Sequence, residues 1–198
     1  MPFNKKTGYI YLKRLLDIIF SAVLIFFLSI PMLIIALAVK LTSKGGAIFR
    51  QKRVGKDGRV FTCYKFRTMY DTAPKNRPKA SFTDAERYIT PVGRFLRKSS
   101  LDELPQLFCV LKGDMSLVGP RPLIENEGEI HDLRRRCGVY EIRPGITGLA
   151  QINGRDRVTD TEKARLDVKY TRSLSLTEDT RIIFKTVGGA LFGESAAR

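Results

Sequence analysis

Asp102 and Glu103 stand side by side in Arg97-Lys98-Ser99-Ser100-Leu101-Asp102-Glu103-Leu104-Pro105-Gln106, within a strongly basic chain. Adjacent carboxylates can divide the work of a nucleophile and a proton-taking partner, provided nearby cations offset their repulsion from an anionic substrate. A plainer reading competes. Ser100-x-x-Glu103 matches a capping box, and acids in a first helical turn are favoured by the helix dipole. Pro105 weakens that reading, because with Ser100 as N-cap it would fall inside the helix, where its ring clashes and an N–H is missing. Proline prefers the first helical position. A helix opening at Pro105 leaves Asp102 and Glu103 just outside it, facing its positive end.

Cations recur along the chain. Lys65 and Arg67 alternate onto one face of an expected strand, although two solvated basic residues would look the same. Arg97 closes the helix before the carboxylates. Arg121 lies between Pro120 and Pro122, which restrict its backbone and suit a guanidinium held for a phosphate or carboxylate; a rigid loop with a chance arginine is the alternative. Arg143 and Arg155 bracket a stretch with three glycines and Gln151. Glycines allow close backbone approach and let N–H groups cluster around an anion. His131, the only histidine, reads as a surface residue.

The chain has 198 residues, 35 basic against 20 acidic side chains and a net charge of +15, which implies an anionic partner. Nucleic acid, an acidic membrane surface and a phosphorylated substrate all qualify. Three widely spaced cysteines without a CxxC argue against a disulfide framework or zinc site and fit a reducing compartment.

These residues need elements to position them. Leu15 to Leu41 is apolar apart from Asp17, Ser21, Ser29, Pro31 and Lys40, and is long enough to enter a bilayer. It is too long for a cleaved signal peptide. Lys13 and Arg14 flank one end, Lys40, Lys44, Arg50, Lys52 and Arg53 the other, so charge selects no orientation for a simple span. Pro31 removes a backbone hydrogen bond, and Ser29 could bond a carbonyl freed there. A re-entrant helix-break-helix with both ends in the cytoplasm is favoured over a kinked span. Gly45-Gly46 marks its exit, dividing a membrane-inserted region (1–44) from a catalytic domain (45–198).

A hairpin is expected over 48–54 and 60–69, with a Gly55–Gly58 turn. Residues 71–83 read as an exposed loop. Thr90-Pro91 opens a short helix to Lys98, and 104–111 forms another, stopped by Lys112-Gly113. Arg134-Arg135-Arg136 reads as a solvated or lipid-facing patch. A polar helix over 161–171 carries Asp167 and Tyr170, and 181–191 is amphipathic, for the membrane interface or the core.

Together these stretches resemble the monotopic phosphoglycosyl transferases, the bacterial sugar transferase family, from about Lys13 to Phe184. The likeness rests on Lys-Arg with Asp17 and the proline-broken helix, then Tyr64-Lys65-Phe66-Arg67-Thr68-Met69, Leu101 to Gln106, and Lys112-Gly113-Asp114-Met115-Ser116. Gly119-Pro120-Arg121-Pro122 and Arg143 to Gln151 complete it. One departure is Ile30, which separates Ser29 from Pro31 where the family often has serine directly before proline. The resemblance implies the minimal catalytic form, without extra N-terminal membrane helices. The implied fold is α+β and mostly helical: a re-entrant membrane helix plus a small cytoplasmic domain with a β-hairpin and interfacial amphipathic helices.

The implied reaction transfers a phospho-sugar from a UDP-sugar to a polyprenyl (undecaprenyl) phosphate on the cytoplasmic face of the bacterial inner membrane, releasing UMP. Asp102 would be the nucleophile and a ligand of Mg²⁺, and Glu103 its partner. Arg97, Lys65, Arg121, Arg143, Arg155 and Gln151 would bind substrate, and the anionic bilayer is a further partner. Two other readings are a membrane-tethered nucleic-acid binder, for which no motif is present, and a scaffold in which the carboxylates only cap.

Overall fold

The computed structural model describes residues 7–74, 85–154 and 159–191. Its first element, α1 (Thr7–Thr42), is long and apolar enough to cross a membrane. Phe26 and Phe27, at 74% and 72% exposed, show how little of its middle is covered by the rest of the chain.

Both ends of α1 are tied to the remainder of the protein. Near the start, Tyr9 and Lys13 donate to Asp179, and the Leu117 N–H donates to Asp17 Oδ1. Near the end, Val39 packs with Phe66 and Leu96, while Arg67 donates to the Ser43 and Lys44 carbonyls. The expected division at Pro31 is not present as a gap, since α1 is continuously helical through it. One proline deletes a single ladder bond, and the turns on either side keep theirs. Ser29 does not serve the carbonyl that Pro31 leaves, that of Phe27. Its hydroxyl donates to Phe26 O at 2.8 Å, the backward reach that a helical serine has.

The hairpin forms where alternation placed it, with β1 (Ile48–Val54) antiparallel to β2 (Val60–Phe66). Arg53 pairs with Phe61, Gln51 with Cys63 and Phe49 with Lys65, so these six residues share one face. Phe61 and Cys63 bury that face against Cys109, Val110 and Met115. Phe66 buries the opposite face against Leu96 and Val39.

Thr90 caps α2 (Pro91–Ser99), its hydroxyl accepting the Gly93 N–H at 2.9 Å, as the Thr-Pro pair predicts. A 3-10 turn, Leu101–Glu103, separates α2 from α3 (Gln106–Lys112), with Pro105 at the N-cap position. Gly113 ends α3 in the left-handed region, at φ 103°.

A second, parallel pairing joins β3 (Ser116–Val118) to β4 (Gly145–Thr147). Here glycine is required by close approach. A Cβ on Gly145 would lie 2.0 Å from Gly119 N, and one on Gly148 2.1 Å from Gly119 O. The glycines around residue 145 therefore bring two backbones together, and the Gly145 N–H is spent on Pro120 O rather than on an anion.

Two surface assignments fail inside α4 (Glu129–Arg136). Arg134 is buried, not solvated, because it pairs with Asp167 of α6 (Asp160–Arg172). His131 is also buried, its ring nitrogens 2.6 Å from Tyr140 Oη and 2.7 Å from the Ile124 carbonyl. Both side chains find partners that offset desolvation, which a run of charges does not reveal. A short helix, α5 (Leu149–Ile152), precedes α6. The last element, α7 (Leu176–Leu191), buries Ile182 against Val118, Leu149 and Tyr170 and leaves Ile183, Phe184 and Val187 exposed.

Replacing Gly145 by alanine is expected to destabilise the fold by about 2–3 kcal/mol or more, the cost of overpacking against backbone. Gly46→Ala, with nothing within 4 Å of the added carbon, should change stability little. Thermal unfolding of the two variants in detergent checks the contrast, and equal midpoints would refute the close-approach account.

Candidate active site

Ser100 reverses the chain between α2 and the 3-10 turn, with φ at 58°. Its side chain makes no cap hydrogen bond, so the capping box does not form. The turn that follows presents Asp102 and Glu103 ahead of α3. Asp102 is 5% exposed, a carboxylate withdrawn from solvent in a site otherwise dominated by cations.

Glu103 is held by those cations. Lys65 Nζ donates to Glu103 Oε1 at 2.7 Å, and Arg121 Nη1 stands 3.7 Å from the same oxygen. Lys65 arrives from the inner face of β2, Arg121 from the proline-flanked loop after β3, and Glu103 from the turn before α3. Three segments distant in sequence thus converge on one carboxylate oxygen. Arg97 projects from the last turn of α2, its Nε donating to Thr68 Oγ1 at 2.8 Å.

The other expected residues are placed elsewhere. Arg143 Nε donates to Gly113 O, at the end of α3 remote from Asp102. Arg14 joins it there, donating to the Val110 and Leu111 carbonyls, so two guanidiniums serve carbonyls at the end of that helix. The Gln151 amide donates to Ile146 O at 2.7 Å and braces β4. Arg155 lies outside the described residues, and Ser29 and Pro31 are in the middle of α1.

Arg53 is a site neighbour that the sequence reading took only for a flank of the membrane segment. It shares the Lys65 face of the hairpin, donates to Pro122 O at 2.9 Å and lies 3.9 Å from Glu127. Burial and the nearby Arg121 guanidinium pull its pKa below the ordinary arginine value. Counting outward from the turn pairs Val54 with Val60, and that register alone would have put Arg53 on the Lys65 face.

The positive field reaches the core thiols. A hydrogen bond from Cys109 pulls the Cys63 thiol down to about 7, against burial and with help from Lys65 and Arg53. Cys109, which gives that hydrogen bond, is pushed up instead. Such a site can bind a doubly anionic group between fixed cations while keeping a shielded carboxylate beside it.

Known proteins share this arrangement of sequence. A family model described as bacterial sugar transferase matches residues 8–193. A UDP-glucose:undecaprenyl-phosphate glucose-1-phosphate transferase of Klebsiella pneumoniae is 45% identical over 192 residues, covering 93% of this chain and 41% of that protein. An undecaprenyl-phosphate galactose phosphotransferase of Salmonella typhimurium is 42% identical, covering 89% of this chain and 40% of its own. An uncharacterized sugar transferase, EpsL, of Bacillus subtilis is 41% identical, with 92% and 89% covered. The chain spans about two fifths of the length of the first two relatives.

Cys63 is expected to titrate near 7 and to move upward in Cys109→Ala, which loses the donated hydrogen bond, and in Lys65→Gln, which loses a cation. Thiolate absorbance against pH, in a Cys137→Ser background, reads the change; an unmoved curve in both variants would refute the assignment. The match over residues 8–193 places the chain in the bacterial sugar transferase family.

Proposed function

We propose that the protein is a membrane-bound enzyme that transfers a phospho-sugar from a UDP-sugar to a polyprenyl phosphate, releasing UMP. The observation that carries this reading is the buried Asp102 beside Glu103, whose carboxylate lies between Lys65 and Arg121. The names of the Klebsiella and Salmonella relatives support the same substrates, with undecaprenyl phosphate as acceptor.

In the first step Asp102 attacks the β-phosphorus of the UDP-sugar. The bond from that phosphorus to the bridging oxygen breaks, and UMP leaves with the electron pair. An aspartyl phospho-sugar remains. An oxygen of the polyprenyl phosphate then attacks the same phosphorus and expels the Asp102 carboxylate, giving a polyprenyl diphosphate sugar. Glu103 orients the site and takes the acceptor proton. Lys65, Arg97 and Arg121 offset the charge on the phosphates, without which a carboxylate would be repelled.

Mg²⁺ fits this donor set. Among the described residues no cluster of three or more His, Cys, Asp or Glu could cage a metal, whereas Mg²⁺ characteristically takes one or two carboxylates plus substrate phosphate oxygens. Asp102 would hold it with the donor diphosphate, where the ion supplies charge neutralisation.

Contacts at both ends of α1 support a re-entrant arrangement, in which the helix would bend at Pro31, the proposed side being the cytoplasmic face. Asp17 and Val39 are 22 positions apart, about 33 Å along a straight helix and as far as the hydrocarbon core is thick. Both nevertheless touch one domain through polar partners, Leu117 N–H for the first and Arg67 for the neighbours of the second. A span with its ends on opposite faces would strand one of those contacts in lipid. Phe95 of α2, Phe108 of α3 and Phe184 of α7 are exposed on helices that touch α1, which suits a domain resting on the headgroups.

UMP release from a panel beginning with UDP-glucose and UDP-galactose, with undecaprenyl phosphate and Mg²⁺, tests the activity. Asp102→Asn should lower it by roughly three orders of magnitude or more and remove any trapped adduct. Chelation should abolish turnover and added Mg²⁺ restore it. A fully active Asp102→Asn would end the covalent mechanism. For topology, cysteines placed at either end of α1 should resist labelling from the outer side, and labelling at one end would mean an ordinary span.

A further inference from the structure

The segment from Pro120 to Ile124 carries prolines at 120 and 122, so neither of those residues has an N–H to give a sheet. It is held by its carbonyls instead. Pro120 O accepts from Gly145 N at 2.9 Å and Leu123 O from Val54 N at 2.8 Å. Arg121 O accepts from Arg134 Nη1 at 2.7 Å, and Pro122 O from Arg53 Nη1 at 2.9 Å. Ile124 O lies 2.7 Å from His131 Nε2. Successive carbonyls are thus gripped by β4, by α4, twice by the hairpin and again by α4.

Arg134 is the least exposed of the side-chain donors. It and Asp167 are 2% and 1% exposed, and Arg134 Nη2 meets Asp167 Oδ2 at 2.5 Å. A wholly buried ion pair returns about what its desolvation costs, so stability alone does not account for it. Its geometry suggests another use. The guanidinium fork spends one arm on Asp167 and the other on the carbonyl of Arg121, the residue whose side chain faces Glu103.

We infer that Arg134 and Asp167 are positioning residues that fix the backbone of Arg121, and through it the guanidinium that engages the donor diphosphate. The inference rests on the transfer proposed above, in which Arg121 binds that diphosphate. Asp167 orients the Arg134 fork; the fork locks one carbonyl; Pro120 and Pro122 remove the backbone freedom that would let Arg121 swing away. Neither residue touches substrate.

The test uses the full chain in detergent or nanodiscs, with UMP release measured against UDP-sugar concentration. Arg134→Met combined with Asp167→Leu replaces the ion pair by apolar side chains and avoids stranding a buried charge. Arg134→Lys keeps a charge beside Asp167 but lacks the planar fork. Thermal unfolding identifies which variant is folded. In a folded variant the KM for the UDP-sugar should rise about tenfold with a smaller change in kcat, as in Arg121→Ala. Adding Arg121→Ala to it should bring no further rise, because both changes remove the same guanidinium from its place.

An unchanged KM in a folded variant overturns the inference. So does a rise of equal size whether residue 121 is arginine or alanine, which would mean a general loosening of the fold. If Arg121→Ala alone leaves KM and kcat unchanged, the diphosphate role of Arg121 fails and the positioning inference falls with it. That outcome leaves the assignment of Asp102 to stand or fall on Asp102→Asn.

Discussion

Arg14 on the last carbonyls of α3 ties the apolar helix to the element that follows Asp102 and Glu103. A cation there is favoured by the last carbonyls of the helix and by its negative end, and Arg143 on Gly113 O reinforces it. The seven residues of α3 span only about 10 Å and form a short, stiff strut. Asp102 stands just ahead of its other end. The depth of α1 in a membrane therefore sets the depth of the carboxylate. The transfer proposed above, from a water-soluble nucleotide to a lipid phosphate, would require that depth to be constant.

The same logic governs how scarce acids are used in a chain with 35 basic and 20 acidic side chains. Buried aspartates join elements remote in sequence. Asp17 accepts the Leu117 N–H, Asp167 pairs with Arg134, and Asp179 accepts from Tyr9, Lys13 and Tyr170 at once. Each carboxylate meets donors that offset its desolvation, and losing it would leave buried polar groups unpaired. Asp179 gathers α1, α6 and α7 at one point. The basic excess is left for the site and the surface.

Much of this was legible in local sequence. Alternation and the Gly55–Gly58 turn located the hairpin, Thr90-Pro91 opened α2, and Pro105 argued correctly that Ser100 and Glu103 do not form a capping box. What escaped depends on partners supplied from afar. His131 and Arg134 look solvated in a run of charges until Ile124, Tyr140, Arg121 and Asp167 are brought to them by tertiary packing. Arg143 and Gln151 belong to a glycine-rich stretch that suggested anion binding. Only the approach of Gly119 to Gly145 shows that the glycines are there for contact between backbones. Serine and proline near the middle of α1 suggested a matched donor and carbonyl, but helical geometry sends the Ser29 hydroxyl to Phe26 instead.

The cations around Glu103 come from a strand face and a proline-bound loop, not from the mobile ends of surface helices. That choice would matter for the transfer proposed above, because catalysis of phosphoryl transfer consists mainly of positioning and charge stabilisation. A flexible lysine or arginine loses rotamer freedom and reorganises as charge develops, whereas one already ordered does neither. Lys65 is ordered by its hydrogen bond to Glu103 and by the burial of Cys63 on the same face. Glu103 thus serves the site even before substrate arrives, holding apart two cations that would otherwise repel. A diphosphate entering between Lys65 and Arg121 would exchange places with a carboxylate that already occupies the right field. The site is prepared for an anion by containing one.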